Sequence, residues 1–314
     1  MIVVRGVQSF PAGRGPVALA LGTFDGVHRG HRAILDALLA ASRQMGGQAV
    51  VVTFDPHPVA VVAPPREPFL LSTLEERVAL FERTGIDVLV VVPFEPRVRA
   101  MRARAWLDLL AAHMPLARVY ASSTHAFGLN REGTPQFLED WGAERGIGVT
   151  VIPPVRDGNA IISSSAIRER LRAGDVQTAA EWLGRWYSVR GEVVAGDGRG
   201  RQLGVPTANV RFPPEKLVPG RGVYAAYASA GGRSYPAAVN VGTRPTFGQG
   251  IVAVEAHLLD VDLDLYGQAI TVEFVRRLRD EHRFPTLEAL RQQIDADIAE
   301  VRRVLADQRS PLDR

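Results

Sequence analysis

The chain reads Gly22-Thr23-Phe24-Asp25-Gly26-Val27-His28-Arg29-Gly30-His31 directly after the apolar run 17–21. An alanine- and leucine-rich helical pattern follows, so this stretch predicts a strand, a glycine-bearing turn and a helix. His28 and His31 are three residues apart at the helix start and can face the same side. The first-turn amides of a helix are unpaired and attract anions. Two imidazoles beside such a site indicate chemistry on a phosphate; a turn with two solvated histidines is the alternative interpretation.

Composition bounds the class of protein. A length of 314 residues is long for one domain and suits two. The chain is 46% hydrophobic and 23% charged, which is typical of a soluble globular protein. It has no cysteine, which excludes disulfides, thiolate zinc sites and cysteine nucleophiles. No run approaches the length of a membrane span and the start lacks a signal-peptide pattern, so we expect a cytoplasmic protein with no membrane partner.

The charged residues restrict the classes of partner and phosphate site that the chain can have. The formal net charge is only +3 and no lysine/arginine block occurs, so we expect no nucleic-acid partner. Lys216 is the only lysine and follows Glu215, which excludes a Gly-Lys-Ser/Thr phosphate-binding loop. Phosphate chemistry must therefore use backbone amides, arginine, histidine, hydroxyl groups and metal.

The first half of the chain alternates between apolar runs and helical patterns. Strands are predicted at 17–21, 48–54, 87–93, 117–122 and 148–152, with helices near 30–44, 73–84, 100–112 and 134–145. This alternation predicts a parallel sheet with right-handed crossovers. Ligands of such sheets bind at the carboxyl ends of the strands, where the histidine turn lies.

The texture changes after two further helical patterns, near 164–173 and 176–184. Short alternating strands are predicted at 187–194, 222–230, 235–242, 252–260 and 269–275, followed by a helix at 286–307. Successive strands without intervening helices indicate an antiparallel sheet or small barrel. We therefore predict two domains, 1–184 and 185–314.

A second cluster in the first half reads Ser163-Ser164-Ser165-Ala166-Ile167-Arg168. Serines before a helix are good N-caps, and Arg168, one turn in, could aim its guanidinium at the same phosphates. A capped helix with a surface arginine is the alternative. Together with the histidine turn, the cluster resembles the H-x-G-H and S-S-T-x-I-R signatures of the nucleotidylyltransferase superfamily, with Ser165 where threonine is usual. The resemblance implies that the two histidines stabilise the α-phosphate as pyrophosphate leaves, that Arg168 helps hold the triphosphate, and that Mg²⁺ assists.

A glycine-rich stretch, Gly196-Asp197-Gly198-Arg199-Gly200-Arg201-Gln202-Leu203-Gly204-Val205-Pro206-Thr207-Ala208-Asn209, is the sharpest signal of the second half. Its glycines permit anion-binding nests, although a flexible loop between strands is the alternative. Thr207 and Asn209 offer oxygen ligands on one side of an extended segment, which suits Mg²⁺. The stretch resembles the riboflavin kinase signature G-x-x-x-G-R-x-L-G-x-P-T-A-N. The nucleotide- and phosphate-binding residues expected in both halves are Gly22, Phe24, Gly30, Ser164, Ser165, Gly196, Gly198, Arg201 and Gly204.

The segment Val254-Glu255-Ala256-His257-Leu258-Leu259-Asp260 also resembles riboflavin kinases. The resemblance implies that Glu255 is the catalytic base, which takes the proton of the ribityl 5′-hydroxyl as the γ-phosphoryl group of ATP transfers. Without the resemblance, Glu255 would be read as a strand-surface carboxylate. Val272 to Phe284 fits the family as well, and Arg276 or Arg279 is implied to contact ligand.

Two further segments concern the flavin. Thr53-Phe54-Asp55-Pro56-His57-Pro58 resembles the T-F-[DE]-P-H-P segment that borders the flavin and nucleotide site of bacterial FAD synthetases, which implies flavin contacts for Phe54 and His57. Ser122-Ser123-Thr124-His125-Ala126-Phe127-Gly128 stands where that family carries G-x-[DN]-F-x-F-G. Only Phe127-Gly128 is kept, so we expect His125 and Phe127 to provide the stacking faces.

The chain is identified as a member of the bifunctional riboflavin kinase/FAD synthetase family. The fold this implies is α/β: an N-terminal Rossmann-like nucleotidylyltransferase domain with a parallel sheet, and a C-terminal antiparallel β-barrel riboflavin kinase domain ending in a helix. The implied reactions are riboflavin to FMN and FMN to FAD, with ATP as co-substrate and Mg²⁺ in both. The altered 122–126 loop leaves one alternative: a riboflavin kinase whose first domain is a weak or degenerate adenylyltransferase serving as a flavin- or nucleotide-binding regulatory module.

Overall fold

A computed structural model of the chain describes residues 1–11, 15–196, 200, 204–243, 252–261 and 263–306. Contacts divide the chain into two compact units. The first comprises Met1–Glu67 and Ser72–Ser164, and the second Pro68–Leu71 and Ser165–Arg314. The division at 164/165 follows contacts alone, and the domain boundary at 184 stays a prediction.

The first unit is built on a six-stranded parallel sheet in the order β1-β4-β3-β2-β5-β6. The strands are β1 (Ile2–Arg5), β2 (Val17–Leu21), β3 (Gln48–Asp55), β4 (Val88–Pro93), β5 (Leu116–Ser122) and β6 (Gly148–Ile152). Five of the six confirm the predicted strands. The edge strand β1 was not predicted, because its four residues are mostly exposed and show no buried pattern.

Both faces of this sheet are covered by helices, so all five residues of β2 are buried. Side chains of β2 alternate between two hydrophobic clusters: Leu19 lies with Trp106 and Trp141, and Ala20 lies with Leu35 and Phe81. The covering helices are α1 (Arg29–Gln44), α3 (Leu74–Glu82), α5 (Ala103–His113) and α6 (Pro135–Ala143). The short elements α2 (Pro58–Val62), α4 (Pro96–Arg99) and the hairpin β7 (Arg156–Asp157) to β8 (Ala160–Ile161) were not predicted.

The second unit contains a closed antiparallel barrel in the order β10-β13-β12-β11-β14-β9, which confirms the predicted barrel. Its strands are β9 (Tyr187–Val194), β10 (Ala208–Arg211), β11 (Gly222–Ala230), β12 (Arg233–Thr243), β13 (Val252–Leu258) and β14 (Ala269–Arg279). Helices α7 (Ser164–Arg172) and α8 (Val176–Leu183) precede the barrel, and α9 (Leu287–Ala306) ends the described chain.

Two features hold the second unit together. Helix α9 packs Val301 and Leu305 against Ala225 and Val275 of the barrel. The segment 68–71 belongs to this unit through the buried Lys216, whose Nζ donates to the Leu71 carbonyl at 2.7 Å and lies 4.7 Å from the Tyr187 ring centroid. Lys216 is only 1% exposed, so its charge is satisfied inside the protein.

Candidate active sites

The histidine turn lies at the point where the neighbours of β2 diverge, with β3 on one side and β5 on the other. Such a switch point opens a crevice at the carboxyl ends of the strands. His28 caps α1: its Nδ1 accepts from the His31 N–H at 3.3 Å. The two imidazole rings are stacked, with centroids 3.7 Å apart and planes 19° apart. The structure therefore brings both histidines together at the helix N-terminus, and an accepting Nδ1 leaves Nε2 as the donor of the His28 ring.

The backbone of the turn is shaped to permit this stack. A Cβ at Gly30 would lie 3.0 Å from the His28 Cε1 and 3.3 Å from the Ile162 carbonyl oxygen, so a side chain there would displace the imidazole. Phe24 (φ 49°) and Val27 (φ 39°) adopt left-handed conformations that are unfavourable for residues with a Cβ. Surrounding contacts must hold them, which is common where a backbone is shaped for function.

Part of the serine cluster joins the turn. Ser164 Oγ donates to the Asp25 carbonyl at 2.9 Å, so the first residue of α7 is tied to the phosphate-site candidate. The Asp25 carboxylate in turn accepts from the N–H and Oγ of Ser72, at 2.9 and 3.1 Å. Ser72 Oγ also accepts from the Gly26 N–H at 2.9 Å. These bonds fix the loop between β2 and α1 from two sides.

Ser165 and Arg168 belong to the second unit. Ser165 is exposed in the first turn of α7. Arg168 Nε donates to the Phe69 carbonyl at 2.6 Å, and its guanidinium lies 5.7 Å from the Phe69 ring centroid. The segment 68–71 therefore orients this arginine, and its role toward a triphosphate stays a prediction.

The kinase candidate in the second unit is centred on Glu255 of β13. Glu255 is in register with Asn209 of β10 on one side and with Asn240 of β12 on the other. Residues in register share a face of the sheet, so the carboxylate lies between two amides. Its neighbours Val254 and Ala256 are buried in the barrel, whereas Glu255 is half-buried on the opposite face.

The described part of the glycine loop passes close to the predicted magnesium ligands. A Cβ at Gly196 would lie 2.1 Å from the Asn209 Nδ2, and one at Gly200 would lie 3.3 Å from the Thr207 Oγ1. A side chain at Gly196 would therefore force the loop or the Asn209 amide to move, and the role of these glycines toward phosphate stays a prediction. Gly198 and Arg201 lie outside the described residues. Gly204 has φ +77° and contacts nothing within 4 Å of its Cβ position.

The donor set near Glu255 fits a hard cation. A hydroxyl, an amide oxygen and a nearby carboxylate suit Mg²⁺, which usually keeps several waters and binds substrate phosphates. Among the described residues no group of three His, Asp or Glu side chains could hold a metal alone. The residues thus fit an ion held partly by nucleotide phosphates, and the role of Thr207 and Asn209 as its protein ligands stays a prediction.

A cavity of about 650 Å³ is lined by Thr207 and by residues of β9, β10 and β13. Its lining includes the apolar Val193 and Leu258, the rings of His257 and Tyr266, and Asp260. A volume of this size is in the range that small-molecule sites occupy. The second unit therefore offers a ligand-sized space next to the predicted magnesium ligands.

Comparisons with known proteins match both units. The family model described as FAD synthetase matches residues 11–166, and the one described as riboflavin kinase matches residues 183–305. A bifunctional riboflavin kinase/FMN adenylyltransferase from Escherichia coli K12 is 35% identical over 300 residues, covering 95% of this chain and 96% of that protein. One of the same name from Pseudomonas fluorescens is 37% identical over 309 residues, covering 98% of each. The chain belongs to the bifunctional riboflavin kinase/FMN adenylyltransferase family.

A solved structure supports the same fold. A protein from Streptococcus pneumoniae described as a macrolide-efflux protein has a TM-score of 0.87 and 28% identity, covering 96% of this chain and 99% of that one. The efflux description concerns the S. pneumoniae protein. In this family member, no helix of the described ranges is long and apolar enough to cross a membrane.

The flavin candidates of the first unit lie at the ends of β3 and β5. Phe54 packs against Phe94 and Trp106, with ring centroids 5.5 and 5.8 Å apart. His57 is 7% exposed and caps α2, its Nδ1 accepting from the Val59 N–H at 3.2 Å. Both side chains are thus held firmly by the protein, and their contact with flavin stays a prediction.

The altered loop after β5 keeps an aromatic arrangement. The His125 ring is stacked on Phe127, with centroids 5.3 Å apart and planes 25° apart. The His125 Nε2 is shielded from solvent and has no hydrogen-bond partner among the described residues. Burial, with a smaller contribution from the Arg131 charge, lowers the pKa of His125 to about 4. His125 is therefore a neutral ring at pH 7, which suits the stacking role predicted for it.

The two arginines of β14 differ. Arg279 forms an ion pair with Asp297 of α9, with Nη2 and Oδ2 2.6 Å apart, so it attaches that helix to the barrel. Arg276 is exposed. The pKa of Glu300 is lowered mainly by its hydrogen bond with Arg303, and the charge of Arg276 adds a smaller contribution. A ligand contact by Arg276 stays a prediction.

One residue of the first site was missed by sequence reasoning. Arg77 is 1% exposed and reaches both the histidine turn and the end of β3. The signal was present: Leu74, Arg77, Val78 and Phe81 follow the three- and four-residue spacing of a buried helix face. A charged residue on a buried helix face is rarely tolerated unless it is paired, so its presence there indicates a structural or functional role.

Proposed function

We propose that this enzyme phosphorylates riboflavin to FMN in its second unit and transfers the adenylyl group of ATP to FMN in its first, giving FAD and pyrophosphate. The observation that carries the proposal is the presence, on one chain of this family, of the stacked histidine pair at a helix N-terminus and of Glu255 between two amides beside the glycine loop. Each arrangement supplies the groups that one of the two reactions requires.

In the kinase step Glu255 takes the proton of the ribityl 5′-hydroxyl. The hydroxyl oxygen then forms a bond to the γ-phosphorus of ATP, the bond to the bridging oxygen breaks, and ADP leaves. Glycines 196, 200 and 204 allow the backbone to approach the phosphates, and Thr207 and Asn209 would hold Mg²⁺. The bound ion would supply charge neutralisation on the phosphates.

In the adenylyl step a phosphate oxygen of FMN attacks the α-phosphorus of ATP and pyrophosphate leaves. His28 and His31 stabilise the charge that develops on the α-phosphate, and the α1 N-terminus adds a fixed positive dipole there. The role of Ser164, Ser165 and Arg168 on the triphosphate rests on the family resemblance. The flavin is proposed to contact Phe54, His57, His125 and Phe127.

A chromatographic time course tests the proposal. Riboflavin, ATP and Mg²⁺ are mixed with the enzyme, and riboflavin, FMN and FAD are resolved over time. We expect riboflavin to pass through FMN to FAD, and omission of Mg²⁺ to stop both steps. FMN that accumulates without FAD would favour a second candidate function, a riboflavin kinase whose first unit is regulatory. The observation behind this candidate is the set of replaced residues in the loop 122–126.

The predicted cytoplasmic location, and the absence of nucleic-acid and membrane partners, remain part of the proposal.

A further inference from the structure

Arg77 of α3 carries a charge into the interior of the first unit. Burial lowers the pKa of its guanidinium, while the carboxylates of Asp25, Asp55 and Glu75 oppose that shift. The contact with Asp55 is long, at 4.0 Å, and Asp55 is more than one third exposed. A buried charge is costly unless hydrogen bonds satisfy it. The contacts that justify it must therefore be sought elsewhere.

Those contacts join the histidine turn to the end of strand β3. Arg77 Nη1 donates to the Thr23 carbonyl at 2.9 Å and to the Thr53 Oγ1 at 3.1 Å. Nη1 and Nη2 both lie 3.3 Å from the Phe54 carbonyl. Thr53 Oγ1 itself donates to the Thr23 carbonyl at 3.0 Å. One guanidinium thus bridges the carboxyl ends of β2 and β3.

The two segments that Arg77 joins lead to different parts of the proposed site. Thr23 directly precedes Phe24, the first left-handed residue of the histidine turn, so its carbonyl sets the course of the backbone toward His28. Phe54 is the penultimate residue of β3 and lies just before the turn that leads to His57, here called the flavin-side turn. The planar fork of arginine can hold two carbonyl groups at a fixed separation, which a single ammonium group cannot do.

We infer that Arg77 is a positioning residue for adenylyl transfer: it fixes the histidine turn relative to the flavin-side turn. The inference rests on the proposed function of the first unit. Arg77 does not touch substrate; it sets the distance between the groups that stabilise the α-phosphate and those that place the acceptor. Such placement acts on the rate of the chemical step more than on binding.

The test is Arg77→Met, which removes the charge and all donors at similar volume. We expect kcat for FMN adenylylation to fall about 100-fold, because small misplacements of reacting groups cost that much. KM for ATP and for FMN should stay close to the wild-type values. Riboflavin phosphorylation in the same sample should be unchanged, since it uses the second unit. Arg83→Met, an exposed position at the end of the same helix, is the matched control and should alter neither reaction.

Two further variants keep the test decisive if Arg77→Met folds poorly. Arg77→Lys keeps the charge without the fork and should recover part of kcat. Thr53→Val removes the hydroxyl that also holds the Thr23 carbonyl, and it should lower kcat less than Arg77→Met does. In the double variant Arg77→Lys/Thr53→Val, the fold-loss of kcat should be smaller than the product of the two single fold-losses. Wild-type adenylylation in Arg77→Met, wild-type kcat in Thr53→Val, or parallel loss of both reactions would overturn the inference. A wild-type enzyme that makes no FAD would instead refute the proposed function itself.

Discussion

Glu255 is the proposed base of the kinase step, so its substitution tests that step directly. Glu255→Gln keeps the size and a hydrogen-bonding oxygen between Asn209 and Asn240 but removes the base. We expect kcat for FMN formation to fall about 100-fold or more. FAD formation from added FMN should continue, because the histidine site lies in the other unit. Glu192→Gln is the control, because Glu192 is an exposed carboxylate paired with Arg211. Loss of both activities in Glu255→Gln would contradict separate sites.

His28 is a helix cap in the structure and a phosphate ligand in the proposed mechanism, and substitutions can separate the two roles. His28→Ala loses both, whereas His28→Asn restores a good capping oxygen. We expect both variants to lose FAD formation and to keep riboflavin kinase activity, with the Asn variant melting at the higher temperature. His113→Ala, exposed on α5, should behave as wild type. An active His28→Asn variant would restrict His28 to capping.

The low pKa of His125 gives a dependence of stability on pH. The unfolded imidazole, with its ordinary pKa near 6.5, binds protons that the folded one does not take up until the pH nears 4. Stability of the first unit should therefore fall as the pH drops from about 6.5 to about 4, by up to about 3 kcal/mol. His125→Phe should flatten this part of the profile in urea unfolding measured across that range. An unchanged profile in the variant would assign the pH dependence to other groups.

At the scale of an element, the glycine loop can be tested by a substitution that affects only the kinase reaction. Its approach to Asn209 depends on the missing side chain of Gly196, so Gly196→Ala forces either the loop or the amide to move. We expect KM for ATP in riboflavin phosphorylation to rise or that activity to be lost, with FMN adenylylation intact. Gly148→Ala, whose added Cβ would meet its nearest atom at an ordinary 3.5 Å, controls for the substitution itself. Normal kinase kinetics in Gly196→Ala would mean that the loop does not approach the phosphates.

Elements with strong hydrophobic periodicity were predictable, and those made by tertiary contact were not. The strands of the parallel sheet and the long helices follow runs of buried side chains that the sequence displays directly. Strand β1 exists only because β4 offers an edge to pair with. Strand β10 is four residues long and was expected only as an extended segment. The helical spacing placed Arg77 on a buried face, but its partners, the Thr23 and Phe54 carbonyls, lie 54 and 23 residues away and required the structure.

At the scale of the whole molecule, two chemistries are divided between two units that are built on different principles. The parallel sheet provides a crevice at a switch point, and the closed barrel provides a face of registered polar residues beside a glycine loop. Motifs were enough to predict both candidate sites because each is carried by a short local stretch. The contacts that fix those stretches join residues far apart in sequence, such as Ser164 and Asp25 at 139 residues, and required the structure.

The buried Lys216 has a practical consequence. Since it is the only lysine of the chain, the folded protein offers no exposed lysine amine to acylating reagents. Amine-reactive dyes and cross-linkers will leave its side chains unmodified while Nζ remains bound to the Leu71 carbonyl. The rate at which Lys216 is modified, measured by mass spectrometry, therefore reports the opening of the second unit at a single site.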